Sequence, residues 1–146
     1  MVHVTRQFAV NVDQAAAIDY LKDFSNAVEW DPGTVACERI DDGPIRVGSR
    51  WHNTSKLIVI NTELEYELTE LRDDGLVFVG TNTTATSYDR INVISTGGGA
   101  RLTYDATVTF NGKARYADPL MTLIFLKLAR DTVRDLTRAL EALPRR

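Results

Sequence analysis

The chain has 146 residues, 44% hydrophobic and 25% charged, the length and balance of one soluble globular domain rather than a disordered segment. A formal net charge of −3 argues against a general affinity for nucleic acid. One cysteine, Cys37, and two histidines, His3 and His52, exclude an internal disulfide, a zinc cluster and a histidine-rich metal site.

In chain order, Val2 to Val10 alternates as a strand, with Val2, Val4, Arg6, Phe8 and Val10 on one face. This start lacks the apolar block of a signal peptide. Asp13 is the expected N-cap of a helix from Ala15 to Phe24, with Ala17, Ile18, Leu21 and Phe24 as its apolar stripe. Ser25 starts a second short helix, Asn26 to Trp30. Asp31-Pro32-Gly33 ends it, because the residue before proline disfavours helix.

Six strands follow: Val35–Ile40, Val47–Ile60, Glu63–Leu71, Leu76–Thr81, Thr86–Ile94 and Arg101–Phe110. The breaks at Asp41-Asp42-Gly43-Pro44, Ile60-Asn61, Asp73-Asp74-Gly75 and Gly97-Gly98-Gly99 are too short for parallel crossovers, so neighbours pair as an antiparallel meander. A long helix closes the chain, with Asp118 as N-cap, Pro119 as first helical residue and Pro144 as its stop. Leu120, Leu123, Ile124, Leu128, Val133, Leu136 and Leu140 form its apolar stripe. The apolar run from Leu120 to Ala129 is broken by Thr122 and Lys127 and is shorter than the roughly 20 residues that span a bilayer. No linker or repeat divides the chain, so residues 1–146 read as one cytoplasmic domain with no transmembrane segment.

Strand faces carry the functional signal. Arg50, His52, Thr54 and Lys56 share an outer face with Glu63, Glu65 and Glu67, and Lys56 is expected to pair across strands with Glu63 or Glu65. The inner face carries Val47, Ser49, Trp51, Asn53, Ser55 and Leu57, met by Leu64, Tyr66 and Leu68 from the next strand. Asp89, Ile91 and Val93 share a face, as do Leu102, Tyr104, Ala106, Val108 and Phe110. An unpaired buried polar group costs about 1–3 kcal/mol. Polar residues interleaved with aromatics inside a sheet therefore line a cavity holding water or ligand, or bond to one another in a filled core.

The order strand, two short helices, six antiparallel strands, long helix resembles the START-like helix-grip (SRPBCC) superfamily. That superfamily includes the birch-pollen-allergen type and the polyketide cyclase/dehydrase and lipid-transport type, with many short bacterial members. The likeness spans nearly the whole chain. Its local matches are Val28-Glu29-Trp30-Asp31-Pro32, Val47-Gly48-Ser49-Arg50-Trp51, Gly98-Gly99-Ala100-Arg101-Leu102-Thr103-Tyr104 and Asp118-Pro119-Leu120. The resemblance implies an α+β fold in which a curved seven-stranded antiparallel sheet grips the C-terminal helix. It also implies a deep apolar cavity between them.

Candidate ligand contacts are Trp30, Trp51, Asn53, Tyr66, Phe78, Asp89 and Tyr104, with Met121 and Phe125 from the helix; simple core packing is the alternative for each. Asp89, Tyr66 and Tyr104 are the acid–base candidates, because an inward carboxylate in an apolar cavity has a raised pKa. His52 falls on the outer face, and Cys37 reads as a small buried filler. Gly97-Gly98-Gly99 lacks the lysine and helix of a phosphate loop, and no metal or cofactor set is present. Arg130, Arg134 and Arg138 form a helical row, either a solvated face or a surface for an acidic partner or membrane.

Two functions from different classes follow. One is a binding module holding a small hydrophobic or aromatic molecule, lipid or polyketide-like. The other is a polyketide cyclase/aromatase or dehydratase using pocket acid–base residues. Weak homo-oligomerisation stays open, and no cofactor is expected.

Overall fold

Val2–Val10 form β1, and its alternation buries Val2, Val4 and Val10 while His3, Thr5, Gln7 and Ala9 face out. The computed structural model describes residues 1–57, 60–112 and 118–144. Asp13 caps α1 (Gln14–Leu21), its carboxylate accepting from the Ala16 N–H at 3.1 Å. Phe24 is not the end of that helix. It begins a 3₁₀ turn, Phe24–Asn26, capped by Asp23 in place of Ser25, and α2 (Ala27–Trp30) follows.

The sheet strands are β2 (Thr34–Arg39), β3 (Arg50–Leu57), β4 (Ile60–Arg72), β5 (Gly75–Thr81), β6 (Ala85–Thr96) and β7 (Gly99–Phe110), and the last helix is α3 (Asp118–Glu141). The sheet order is β1-β7-β6-β5-β4-β3-β2, antiparallel throughout. The expected meander is present, and the first strand joins it beside the last. The sheet is continuous from β1 to β2, and α3 packs against β1 and α2. This is the α+β helix-grip arrangement. No helix among the described residues is long and apolar enough to cross a membrane.

Three local expectations change. Val47 is 55% exposed, because β3 begins only at Arg50 and Val47-Gly48 forms a turn in which Gly48 takes a φ of +100°. Arg39 organises the loop of residues 40–49, donating to Asp41 and to the Gly43 and Pro44 carbonyls. Leu57 pairs with Ile60, so Ile60-Asn61 already lies in β4; residues 58 and 59 fall outside the described ones. Lys56 consequently opposes Asn61, not a glutamate, and the outer-face pairs are Arg50–Glu65 and His52–Glu63.

The third change concerns α3. Leu120 and Leu123 are 61% and 67% exposed, outside the buried stripe. Leu136 and Leu140 are buried as expected, and Met121, Ala129 and Thr132 join them. At 100° per residue, positions 120 and 123 point away from 121, 125 and 132. The capping role expected of the Asp118 side chain lies outside the described residues.

Two apolar clusters hold the layers together. The larger unites Leu21, Phe24, Trp30, Trp51, Phe78, Leu102, Leu136 and Leu140. The smaller gathers Val2, Val4, Met121 and Ala129, with Phe110, Ile124 and Phe125 against them. Thus the C-terminal half of α3 is bolted to the main core, and its N-terminal half packs over β1 and the end of β7.

Candidate functional site

Between the first turns of α3 and the inner face of the sheet lies a cavity of about 320 Å³. Its wall is apolar: Val4 from β1, Leu64 from β4, Ala106, Val108 and Phe110 from β7, and Met121, Ile124, Phe125 and Leu128 from α3. Asp31, Tyr66, Ser87, Asp89 and Tyr104 bring polar groups to it. Alternation along β6 directs Ser87 and Asp89 to the same side, and both are 7% exposed.

Asp89 accepts a long hydrogen bond from the Ser87 hydroxyl, 3.4 Å to Oδ1. Tyr66 and Tyr104 line the same space beside this pair. Burial, followed by the charge of Asp31, pushes Asp89 up to about 7; the Ser87 bond opposes this. The phenols of Tyr66 and Tyr104 stand well above the usual tyrosine range, first through burial and then through the Asp89 charge.

Asp31 follows α2 and is held from both sides. Its Oδ2 accepts from the Thr34 hydroxyl at 2.8 Å and its Oδ1 from the Gly33 N–H at 3.2 Å. Behind it runs a donor series: Ser55 donates to Asn53 at 2.7 Å, and Asn53 donates to Thr34 at 3.0 Å. Burial raises the Asp31 pKa, these bonds lower it, and the Asp135 charge adds to the rise.

Of the sequence candidates, Tyr66, Asp89, Tyr104, Met121 and Phe125 line the cavity. Trp30, Trp51, Phe78 and Asn53 stand outside its lining. Phe24 gathers the aromatic ones: its ring centroid is 4.4 Å from Tyr66, 4.5 Å from Phe78, 6.1 Å from Trp30 and 6.3 Å from Trp51. The Trp51 Nε1–H reaches Asp23 at 3.3 Å, and Asn53 is spent in the Ser55–Asn53–Thr34 series. Ser49 is fully buried in the β2–β3 loop, where its hydroxyl accepts from the Arg46 N–H at 3.0 Å.

Among the lining residues that the sequence did not mark as site candidates, Asp31, Ser87 and Thr132 are the most informative. Ser87 was within reach of alternation, two residues from Asp89 on one strand. Thr132 interrupts the inner stripe of α3, a detectable flaw. Asp31 gave only a helix-end signal, and its place in the cavity depends on how α2 docks.

His52 lies on the outer face with Glu63, and burial pushes the Cys37 thiol up to about 11, leaving it protonated at neutral pH. Arg134 pairs with Asp131 and Asp135, and Arg138 reaches Asp135 at 4.0 Å, so acidic neighbours offset this part of the arginine row.

A family model described as "Polyketide cyclase / dehydrase and lipid transport" matches residues 1–146. The chain belongs to that family. Members of the polyketide cyclase/dehydrase and lipid transport family typically bind hydrophobic ligands. A START superfamily protein from Mycobacterium smegmatis shares the fold with a TM-score of 0.80 at 12% identity, over 97% of this chain and 99% of the other. A protein from Thermus thermophilus gives 0.80 at 10% identity, covering 96% and 97%. The Zhui aromatase/cyclase from a Streptomyces species gives 0.75 at 11% identity, covering 95% and 93%. At such identities the likeness is one of fold. No curated protein matches the chain.

Proposed function

We propose that this family member binds one small hydrophobic or aromatic molecule, lipid or polyketide-like, between α3 and the sheet. The observation that carries the reading is the cavity of about 320 Å³, at the lower end of the roughly 300–1,000 Å³ usual for ligand sites, with an apolar wall and a few polar groups. The apolar wall supplies affinity through lost water contact, and the polar groups set orientation. Titration with the neutral fluorophore N-phenyl-1-naphthylamine tests it. Saturable uptake of one probe per chain, reduced in a Phe125→Trp variant that still unfolds cooperatively, is expected. Absence of saturable uptake, or uptake indifferent to the filled cavity, would overturn it.

A second reading, a cyclase/aromatase or dehydratase, draws support from one feature. Asp89, held near 7 and lining the cavity beside Tyr66 and Tyr104, is poised to exchange protons at neutral pH. The fold shared with an aromatase/cyclase adds nothing about substrate. Turnover of a linear poly-β-ketone thioester decides: in an enzyme, Asp89→Asn lowers turnover far more than it lowers probe uptake. A chain that takes up the thioester unchanged is a binder.

A further inference from the structure

Every charged side chain among the described lining residues is an acid. Asp31 and Asp89 face the cavity, and no Lys, Arg or His among the described lining residues answers them. The hydroxyl donors are largely spent inside the protein. Ser55 donates to Asn53, Thr84 to Asn82, Ser87 to Asp89 and Thr132 to the Leu128 carbonyl. Apart from the phenols of Tyr66 and Tyr104 and the Thr62 hydroxyl, the polar groups of the cavity offer acceptors, and all of its charge is negative.

The two acids differ in what they lack. Asp31 has a hydrogen bond on each oxygen. Asp89, 7% exposed, has only the 3.4 Å bond from Ser87 to Oδ1, and no donor among the described residues reaches Oδ2. A carboxylate this buried is unfavourable as an anion unless a cation or strong donors meet it. The protein does not provide them, and the open space in front of Asp89 admits a ligand that does.

We infer that the molecule held here is a cationic amphiphile, its protonated amine against Asp89 and its apolar body along Met121, Ile124 and Phe125 of α3. This rests on the cavity being a ligand site, as proposed above. An ammonium group supplies charge-assisted hydrogen bonds to the vacant carboxylate oxygen. A carboxylate or phosphate head would instead bring like charge toward Asp31 and Asp89 in a poorly solvated space. Fatty acids and anionic lipids are thereby disfavoured by charge, although their chains suit the wall equally well.

The test displaces bound N-phenyl-1-naphthylamine at pH 8 with decylamine, decanol and decanoate, whose tails are matched. Decylamine should compete at least about tenfold better than decanoate, and better than decanol. In Asp89→Asn the ratio of decylamine to decanol affinity should collapse toward one. Decanoate competing as well as decylamine, or Asp89→Asn retaining the amine preference, would overturn the inference. The wild-type comparison needs no variant, so it stands even if Asp89→Asn folds poorly. Failure of the probe to enter at all removes the cavity reading and this inference together, whereas uptake with decanoate preferred removes only this one.

Discussion

Tyr66 sits against Gly80 on the neighbouring strand. The two are register partners in β4 and β5, and a Cβ at position 80 would stand 2.6 Å from carbons of the phenol ring. The missing side chain lets the ring occupy the sheet surface, in contact with Phe24 on one side and lining the cavity on the other. Tyr66 is thus the joint between the aromatic core and the ligand site.

Gly80→Ala is expected to push that ring aside and destabilise the fold by about 1–3 kcal/mol, the usual range for overpacking. Probe affinity should fall with it. Gly97→Ala, where a Cβ meets nothing within 4 Å, should stay within about 0.5 kcal/mol of wild type. Urea unfolding of both variants measures the difference, and equal effects would remove the steric argument.

Asp89 should leave a signature in stability against pH. Its folded pKa, about 7, lies above the roughly 3.9 of an unfolded aspartate. Between these values the folded chain binds more protons, so stability falls as pH rises from about 4 to about 7. Asp31, Tyr66 and Tyr104 line the same space, and of these burial raises the Asp31 carboxyl in the same direction. Asp89→Asn removes one contribution. Relative to wild type, the variant should gain stability between about pH 4 and about pH 7, by a few kcal/mol in all, and hold that gain at higher pH. A pH-independent difference would show that Asp89 is not buried as described.

The two tryptophans should respond differently to loss of the indole N–H. Trp51 donates to Asp23, the carboxylate that also caps the turn at Ser25. Trp30 Nε1 is the buried polar side-chain atom with no partner among the described residues. Trp51→Phe gives up a hydrogen bond to a charged group, worth about 1.5–3 kcal/mol, whereas Trp30→Phe removes an unsatisfied donor. Comparable loss of packing volume at both sites leaves Trp51→Phe as the more costly. Thermal unfolding that ranks them in the opposite order would contradict the hydrogen-bond assignment.

Along α3, anchoring and wall functions separate. Leu136 is fully buried in the main core, so Leu136→Ala should cost about 2–5 kcal/mol. Phe125 is half-buried and faces the cavity, so its truncation leaves less newly stranded space. Phe125→Ala should cost less stability than Leu136→Ala and lose more probe affinity per unit of stability lost. Parallel urea and fluorescence titrations separate the two roles.

Much of the fold was legible because alternation and helical spacing are local properties. The inward face of β6 through Asp89, Ile91 and Val93 and the Asp13 cap needed no tertiary information. Register was less accessible. Taking Ile60-Asn61 as the break displaced the β3–β4 turn, and with it the partner of Lys56. Val47 was assigned inward because nothing local announced that Gly48 would turn the chain before β3 began.

What the sequence by itself determined was the order of elements, the inward faces of β3, β4, β6 and β7, and the exclusion of an internal disulfide or a histidine-rich metal site. Those follow from residue counts and from periods of two and 3.6 residues. Only the tertiary structure decided that Tyr66, Asp89 and Tyr104 front an open space while Trp51 and Phe78, equally inward, are packed solid. The reason is the seating of α3. Leu136 and Leu140 hold one half in the main core, while Met121 and Phe125 in the other half stand across a gap from β6 and β7. That gap is set by the summed bulk of side chains from distant parts of the chain, which no local pattern records.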